Sequence, residues 1–141
     1  MKRGYIECSI VIILVITGMG MTSKKANEIP TPAKDFTVDI IDREGFHTEG
    51  HQVSIDGEVF ISVRRGAASF YIAFDKIQDI QFGDIDKDWI KTTILLNDTD
   101  EPLSGEVDGL LPCYGETSFG QFEIRMKNIQ KITFKGMTPK E

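Results

Sequence analysis

His47-Thr48-Glu49-Gly50-His51 gathers both histidines of the chain around one carboxylate. On an extended segment alternate side chains share a face, so His47, Glu49 and His51 point the same way. Imidazole and carboxylate together are a zinc-ligating set. A two-histidine cluster nevertheless falls short of the four ligands of a closed zinc site, and the alternative is a polar hairpin tip following Gly45. His47-Thr48-Glu49 with Pro112-Cys113 also matches part of the H-x-E…P-C-x-x-C pattern of zinc deaminases. The place of the second cysteine is taken by Glu116, and both segments read as strands, so that chemistry is excluded. No cofactor is expected.

Other chemistries find less support. Asp84-Ile85-Asp86-Lys87-Asp88 opens like a calcium loop, but the sixth and twelfth positions hold Trp89 and Leu95 instead of glycine and glutamate. It reads as an acidic loop between repeats, and Asp98, Asp100 and Glu101 as a second acidic turn. There is no G-x-S-x-G, no Gly-rich phosphate cradle outside the N-terminal segment, and no Ser or Cys beside a base. Among 22 acidic residues no carboxylate pair stands out. An enzyme is not expected.

The elements that position these residues are written twice. Ile55 to Phe82 aligns without a gap on Val107 to Phe134, 52 residues later, with eight identities in 28 positions. Such a period marks a duplicated structural unit. Agreement between copies marks what both need to fold. Divergence is greatest between Glu58–Ser69 and Leu110–Gln121, where the second copy acquires Pro112, Tyr114, Gly115 and Gly120. The second version is expected to be bent or bulged, with Pro112 at a sheet edge. Tyr114 and Glu116 are the binding candidates there, with drift after duplication as the alternative account.

Hydrophobic period two dominates from Phe36 onward. Phe36, Val38 and Ile40, then Val59, Ile61 and Val63, then Phe70, Ile72 and Phe74 alternate with mostly polar neighbours, and Phe122, Ile124 and Met126 repeat the third run. Alternation puts one face in a core and the other in water. Asp42-Arg43-Glu44-Gly45, Asp56-Gly57, Asn97–Asp100 and Asp108-Gly109 supply the reversals. No amphipathic helix fits between them. The expected fold is all-β, an antiparallel sandwich or barrel built from two related units over residues 35–135. Its buried set is Phe70, Ile72, Ile77, Ile80 and Phe82, with Phe122, Ile124, Ile129, Ile132 and Phe134. Asp75-Lys76-Ile77 and Lys127-Asn128-Ile129 read as one-turn corners. Cys113 falls at the place of Ile61, so a buried, inert thiol is expected.

Thr117-Ser118-Phe119-Gly120-Gln121-Phe122-Glu123-Ile124, followed by Ile129-Gln130-Lys131-Ile132-Thr133-Phe134, resembles the end of small exported bacterial proteins of unknown function. Their pattern runs T-x-F-G-x-F-x-I-x-L, then I-x-x-I-x-F, and Met126 stands where they carry Leu. The resemblance implies location and fold class and no activity.

Export is also the reading of the N-terminus. Lys2 and Arg3 precede the apolar run Ile10–Ile16, and small residues follow at a cleavage position, so residues 1–20 read as a cleaved signal peptide. Retention as a membrane anchor is the alternative, and it would be the chain's only tie to a membrane. Cys8 precedes the apolar run, which disfavours a lipoprotein. Residues 21–34 read as a flexible linker, and 136–141 as a polar tail. The net charge of −6 becomes −7 on cleavage, which disfavours nucleic acid and anionic lipid. The functional expectation is a periplasmic or secreted, non-enzymatic binding module whose partner is another envelope protein or polymer. The alternative is a metal-dependent hydrolase using His47, Glu49 and His51.

Overall fold

Each alternating run becomes a strand in the computed structural model, which describes residues 29–137. The signal peptide and most of the linker read from the sequence lie outside that range. Ten antiparallel strands follow one another: β1 (Phe36–Asp42), β2 (His47–Ile55), β3 (Phe60–Arg65), β4 (Ala68–Ala73), β5 (Ile77–Asp86), β6 (Trp89–Leu96), β7 (Leu103–Asp108), β8 (Pro112–Thr117), β9 (Gly120–Arg125) and β10 (Ile129–Met137). They form one ladder in the order β4-β3-β7-β6-β5-β10-β1-β2-β8-β9. Adding five to each strand of the first unit gives its counterpart in the second, and the order is then the same read from either end. The ladder therefore has a pseudo-twofold axis between β5 and β10. Ile80 pairs with Ile132, its own equivalent 52 residues on, across that axis.

The duplication reaches further back than the ungapped alignment shows. Ile40 pairs with Ile132, and Ile94 with Ile80, so β6 is β1 displaced by 54 residues. Val38 pairs with Gly50, and its counterpart Thr92 with Gly105, so β7 is β2 displaced by 55. The difference is absorbed at a register break between His51 and Ser54, where Gln52 takes a φ of 52°. The two units also exchange hairpins. β3, from the first unit, pairs with β7 of the second through Arg64 and Glu106, while β8 of the second pairs with β2 of the first. Neither unit completes its sheet alone.

The core lies on one face of this sheet. Val38, Ile80, Ile90, Ile94, Val107 and Ile132 have no exposure at all. Among the described residues the only helical elements are single 3₁₀ turns, Phe74–Lys76 and Met126–Asn128. With no helical layer to cover it, the sheet encloses its own apolar face, the solution shared by sandwiches and barrels. Each fully buried aliphatic side chain contributes roughly 1.5–3 kcal/mol by leaving water. The two 3₁₀ turns are the expected corners, with Ile77 and Ile129 buried behind them. Phe74 N–H donates to the Val59 carbonyl at 3.0 Å, and Met126 N–H to the Leu111 carbonyl at 2.9 Å, one bond in each unit at equivalent places.

Several expectations are corrected. Phe70 is 43% exposed. Ile72, Phe122, Ile124 and Phe134 are only half-buried. For the first four the reason is ladder position: β4 and β9 are its two ends, and an end strand is covered from one side only. Pro112 begins an interior strand, bonded to β2 and β9, instead of lying at an edge. A proline is tolerated as first residue of a strand. The bulge expected in the second unit occurs in β2 of the first, while the β8–β9 pairing is regular. Asp84 to Asp86 continue β5, and the reversal is confined to Lys87, at φ 61°, and Asp88. Gly136 and Met137 extend β10. Pro32 is buried, and Pro30 packs against Gly57, so the end of the linker lies on the fold.

Candidate functional site

The row His47, Glu49, His51 stands on the outer face of β2, and each member takes a different partner. His47 Nδ1 lies 3.7 Å from Asp39, Glu49 accepts from Lys135 Nζ at 2.8 Å, and His51 Nδ1 lies 3.9 Å from Asp35. The hydrogen bond from Lys135, then its charge, holds the Glu49 carboxyl below its ordinary value. At a rise of about 3.3 Å per residue the two histidines are set about 13 Å apart along the strand. Among the described residues no three His, Cys, Asp or Glu side chains gather to hold a metal. The strand that aligns these groups on one face also spaces them apart.

Tyr114 and Glu116 lie on β8. Glu116 stands opposite His51, and Tyr114 opposite Ser54. The structure thus brings together two candidates from different motifs. Applying the displacements of 54, 55 and 52, the equivalents of Asp35, His51 and Glu116 are Trp89, Glu106 and Arg64. There Arg64 donates to Glu106 Oε1 from Nε at 3.2 Å and Nη2 at 2.7 Å, and its guanidinium carbon sits 3.6 Å over the Trp89 ring. Arg64 and Glu106 make a cross-strand ion pair on a solvated face, a contact that stabilises the sheet, whereas Glu116 faces His51 only in strand register. Beside them Ser54 Oγ is buried with no hydrogen-bond partner among the described residues.

Two features escaped the sequence. The first is a pocket of about 420 Å³, floored by Phe36, Phe74 and Phe134 and rimmed by Asp75, Asn97 and Lys135. Phe36 meets Phe74 edge-on at 5.6 Å between centroids, and Phe74 meets Phe134 at 4.8 Å. Phe36 and Phe74 are almost wholly buried, so half-buried Phe134 is the ring nearest solvent. Asn97 closes one side by donating Nδ2–H to the Asp75 carbonyl at 3.0 Å. These residues come from β1, the first corner, the β6–β7 turn and β10, and nothing in their spacing connects them.

The second feature is the end strand β4. Ala68-Ser69-Phe70-Tyr71-Ile72-Ala73 carries no charge and, among the described residues, pairs only with β3. Tyr71 is 69% exposed and packs edge-on against Phe60 at 5.8 Å. The opposite end strand, β9, carries Glu123 and Arg125. Charges and prolines normally protect an edge from pairing with another chain. β9 has such protection and β4 has none.

The model of a family described as an uncharacterised protein matches residues 32–137, three-quarters of the chain. The chain belongs to that family. Its matched span covers every strand, the aromatic pocket and both sheet ends. No curated protein and no solved structure matches the chain.

Proposed function

We propose that this protein is an exported, non-enzymatic binding module that accepts an extended segment of a partner polypeptide along β4. The observation that carries the reading is the uncharged, singly paired edge with Phe60, Phe70 and Tyr71 exposed or half-exposed around it. An added strand gains main-chain hydrogen bonds from the edge, and alternate side chains supply specificity. The Phe60–Tyr71 pair favours aromatic or β-branched residues on the outer face of that segment. Its neutrality favours a segment without charges of its own. The net charge of −6 argues against nucleic acid as the partner. Export is supported by Lys2 and Arg3 ahead of the apolar run Ile10–Ile16, and it makes another envelope protein the natural partner.

The test is photo-crosslinking in intact envelope through a reactive group at Tyr71, followed by mass mapping of the joined peptide. The expected product joins β4 to an uncharged extended segment and is lost in Phe70→Lys. Gln121→Lys, on the opposite edge, leaves it intact. Cross-links unaffected by Phe70→Lys would refute the edge as the docking site. N-terminal sequencing of envelope protein tests cleavage of the signal, with an intact Met1 in the membrane as the result that would show retention as an anchor instead.

A further inference from the structure

The duplication supplies an internal comparison for the aromatic pocket. Asn97 N–H donates to the Lys76 carbonyl at 2.9 Å, and Arg43 N–H to the Asn128 carbonyl at 2.9 Å. Arg43 and Asn97 differ by 54 residues, Lys76 and Asn128 by 52, so the two hairpin turns dock on the two corners in the same way. Their side chains then diverge. Arg43 spans two carbonyls with its guanidinium, donating from Nε to Lys127 at 2.8 Å and from Nη2 to Gly83 at 2.8 Å. The equivalent carbonyls in the other unit belong to Asp75 and Lys135. Asn97 bonds the first and is too short to span to the second.

The surroundings change in step. Where Arg43 lies, the equivalents of Phe36, Phe74 and Asp75 are Ile90, Met126 and Lys127. The open unit has therefore lost its own cation and exchanged a lysine for a carboxylate; Phe36 and Phe74 form its buried floor, and the ring nearest solvent is Phe134, whose equivalent is Phe82. Aromatic faces, carbonyl oxygens and a carboxylate all favour a cation. A planar donor fork suits two carbonyls better than an ammonium does. Two lysines border the place. Lys135 is taken up by Glu49 at 2.8 Å. Lys34 sits 3.7 Å from Asp75 as an exposed pair, which a better-placed cation displaces.

We propose that the pocket floored by Phe36, Phe74 and Phe134 binds the arginine side chain of a partner polypeptide, in the place that Arg43 fills from within the chain in the other unit. The volume of about 420 Å³ holds an arginine's methylenes as well as its guanidinium. The acidic chain draws cationic segments toward it. This site is separate from β4, and either can fail without the other.

The experiment is NMR titration of the isotope-labelled protein with a capped Gly-Arg-Gly peptide, methylguanidinium, free arginine and methylammonium at matched ionic strength. Saturable shifts are expected at the Asn97 side-chain amide, the Lys135 amide and the Phe134 ring. The capped peptide should bind at least tenfold more tightly than methylammonium. Asn97→Arg, which supplies the guanidinium internally, should abolish binding without lowering the thermal midpoint. Asp75→Asn should weaken binding several-fold, and it decides the matter if Asn97→Arg does not fold. Equal binding of methylammonium, or binding undiminished by Asp75→Asn, would overturn the site. Binding of free arginine or methylguanidinium but not of the capped peptide would overturn the assignment to a polypeptide.

Discussion

Replacing Cys113 with valine should make the fold less sensitive to alkali. The thiol has no exposure, and burial pushes its pKa from 9.0 up to about 12. A raised pKa means that the fold favours the protonated thiol. That contribution is complete below pH 9 and is lost as pH rises from 9 towards 12, because the unfolded chain releases a proton that the folded chain retains. At pH 11, two pH units above the ordinary thiol value, the penalty is on the order of 3 kcal/mol. With a urea dependence of about 1–3 kcal/mol per molar, this moves the unfolding midpoint by on the order of 1–3 M. Lysine and tyrosine titration contributes to alkaline destabilisation in both proteins. The informative quantity is therefore the change in midpoint between pH 8 and pH 11 for the parent minus that for Cys113→Val. At pH 8 the substitution itself should cost about 1 kcal/mol, as a near-isosteric core exchange does. Thiol labelling of the native parent at pH 8 should be at least about a thousandfold slower than in urea, from the lower thiolate fraction alone. Equal midpoint shifts in the two proteins would refute the reasoning. So would rapid native labelling, or a dimer band that disappears on reduction.

Four further outcomes are expected. Gly105→Ala places a Cβ 2.4 Å from a Val63 methyl carbon and 2.9 Å from the Arg64 carbonyl, so it should destabilise by about 1–3 kcal/mol in urea unfolding. Ser54→Ala should stabilise by about 1 kcal/mol in the same assay, because it removes a buried hydroxyl that has no partner among the described residues. Arg64→Ala should alter Trp89 fluorescence and cost at most about 1 kcal/mol, since the Arg64–Glu106 pair is over one-third exposed. A fragment ending at Asp86 lacks β7 and β8, so circular dichroism should show it unfolded as a monomer, with structure regained on mixing with residues 87–141.

The strands, their turns and the repeat were legible in the residues. Period-two burial at Phe36, Val38 and Ile40, or at Ile80 and Phe82, follows from the pleat, which any half-buried strand must obey. Asp56 and Gly57 carry the positive φ that their sequence signals. Cys113 is buried because the second copy needs an apolar group where the first has Ile61. The candidate site was far less legible. Glu116 and His51 meet, and the histidine row splits into separate pairs, only because of which strand lies beside which.

What the sequence could not decide is ladder order, because strand pairing is a long-range choice that a local hydrophobic period does not encode. Phe70 and Phe122 occupy matching places in the repeat, yet both were expected in the core. The ladder made β4 and β9 its ends, and burial there is incomplete. Displacements of 54 and 55 in the first two strands, against 52 in the rest, hid half of the duplication from an ungapped comparison. The exchange of hairpins between units had no local signature at all. The pocket behind Asn97 needed all of this together: by itself the sequence determined that two related β units exist, and only their tertiary pairing decided which surfaces they leave open.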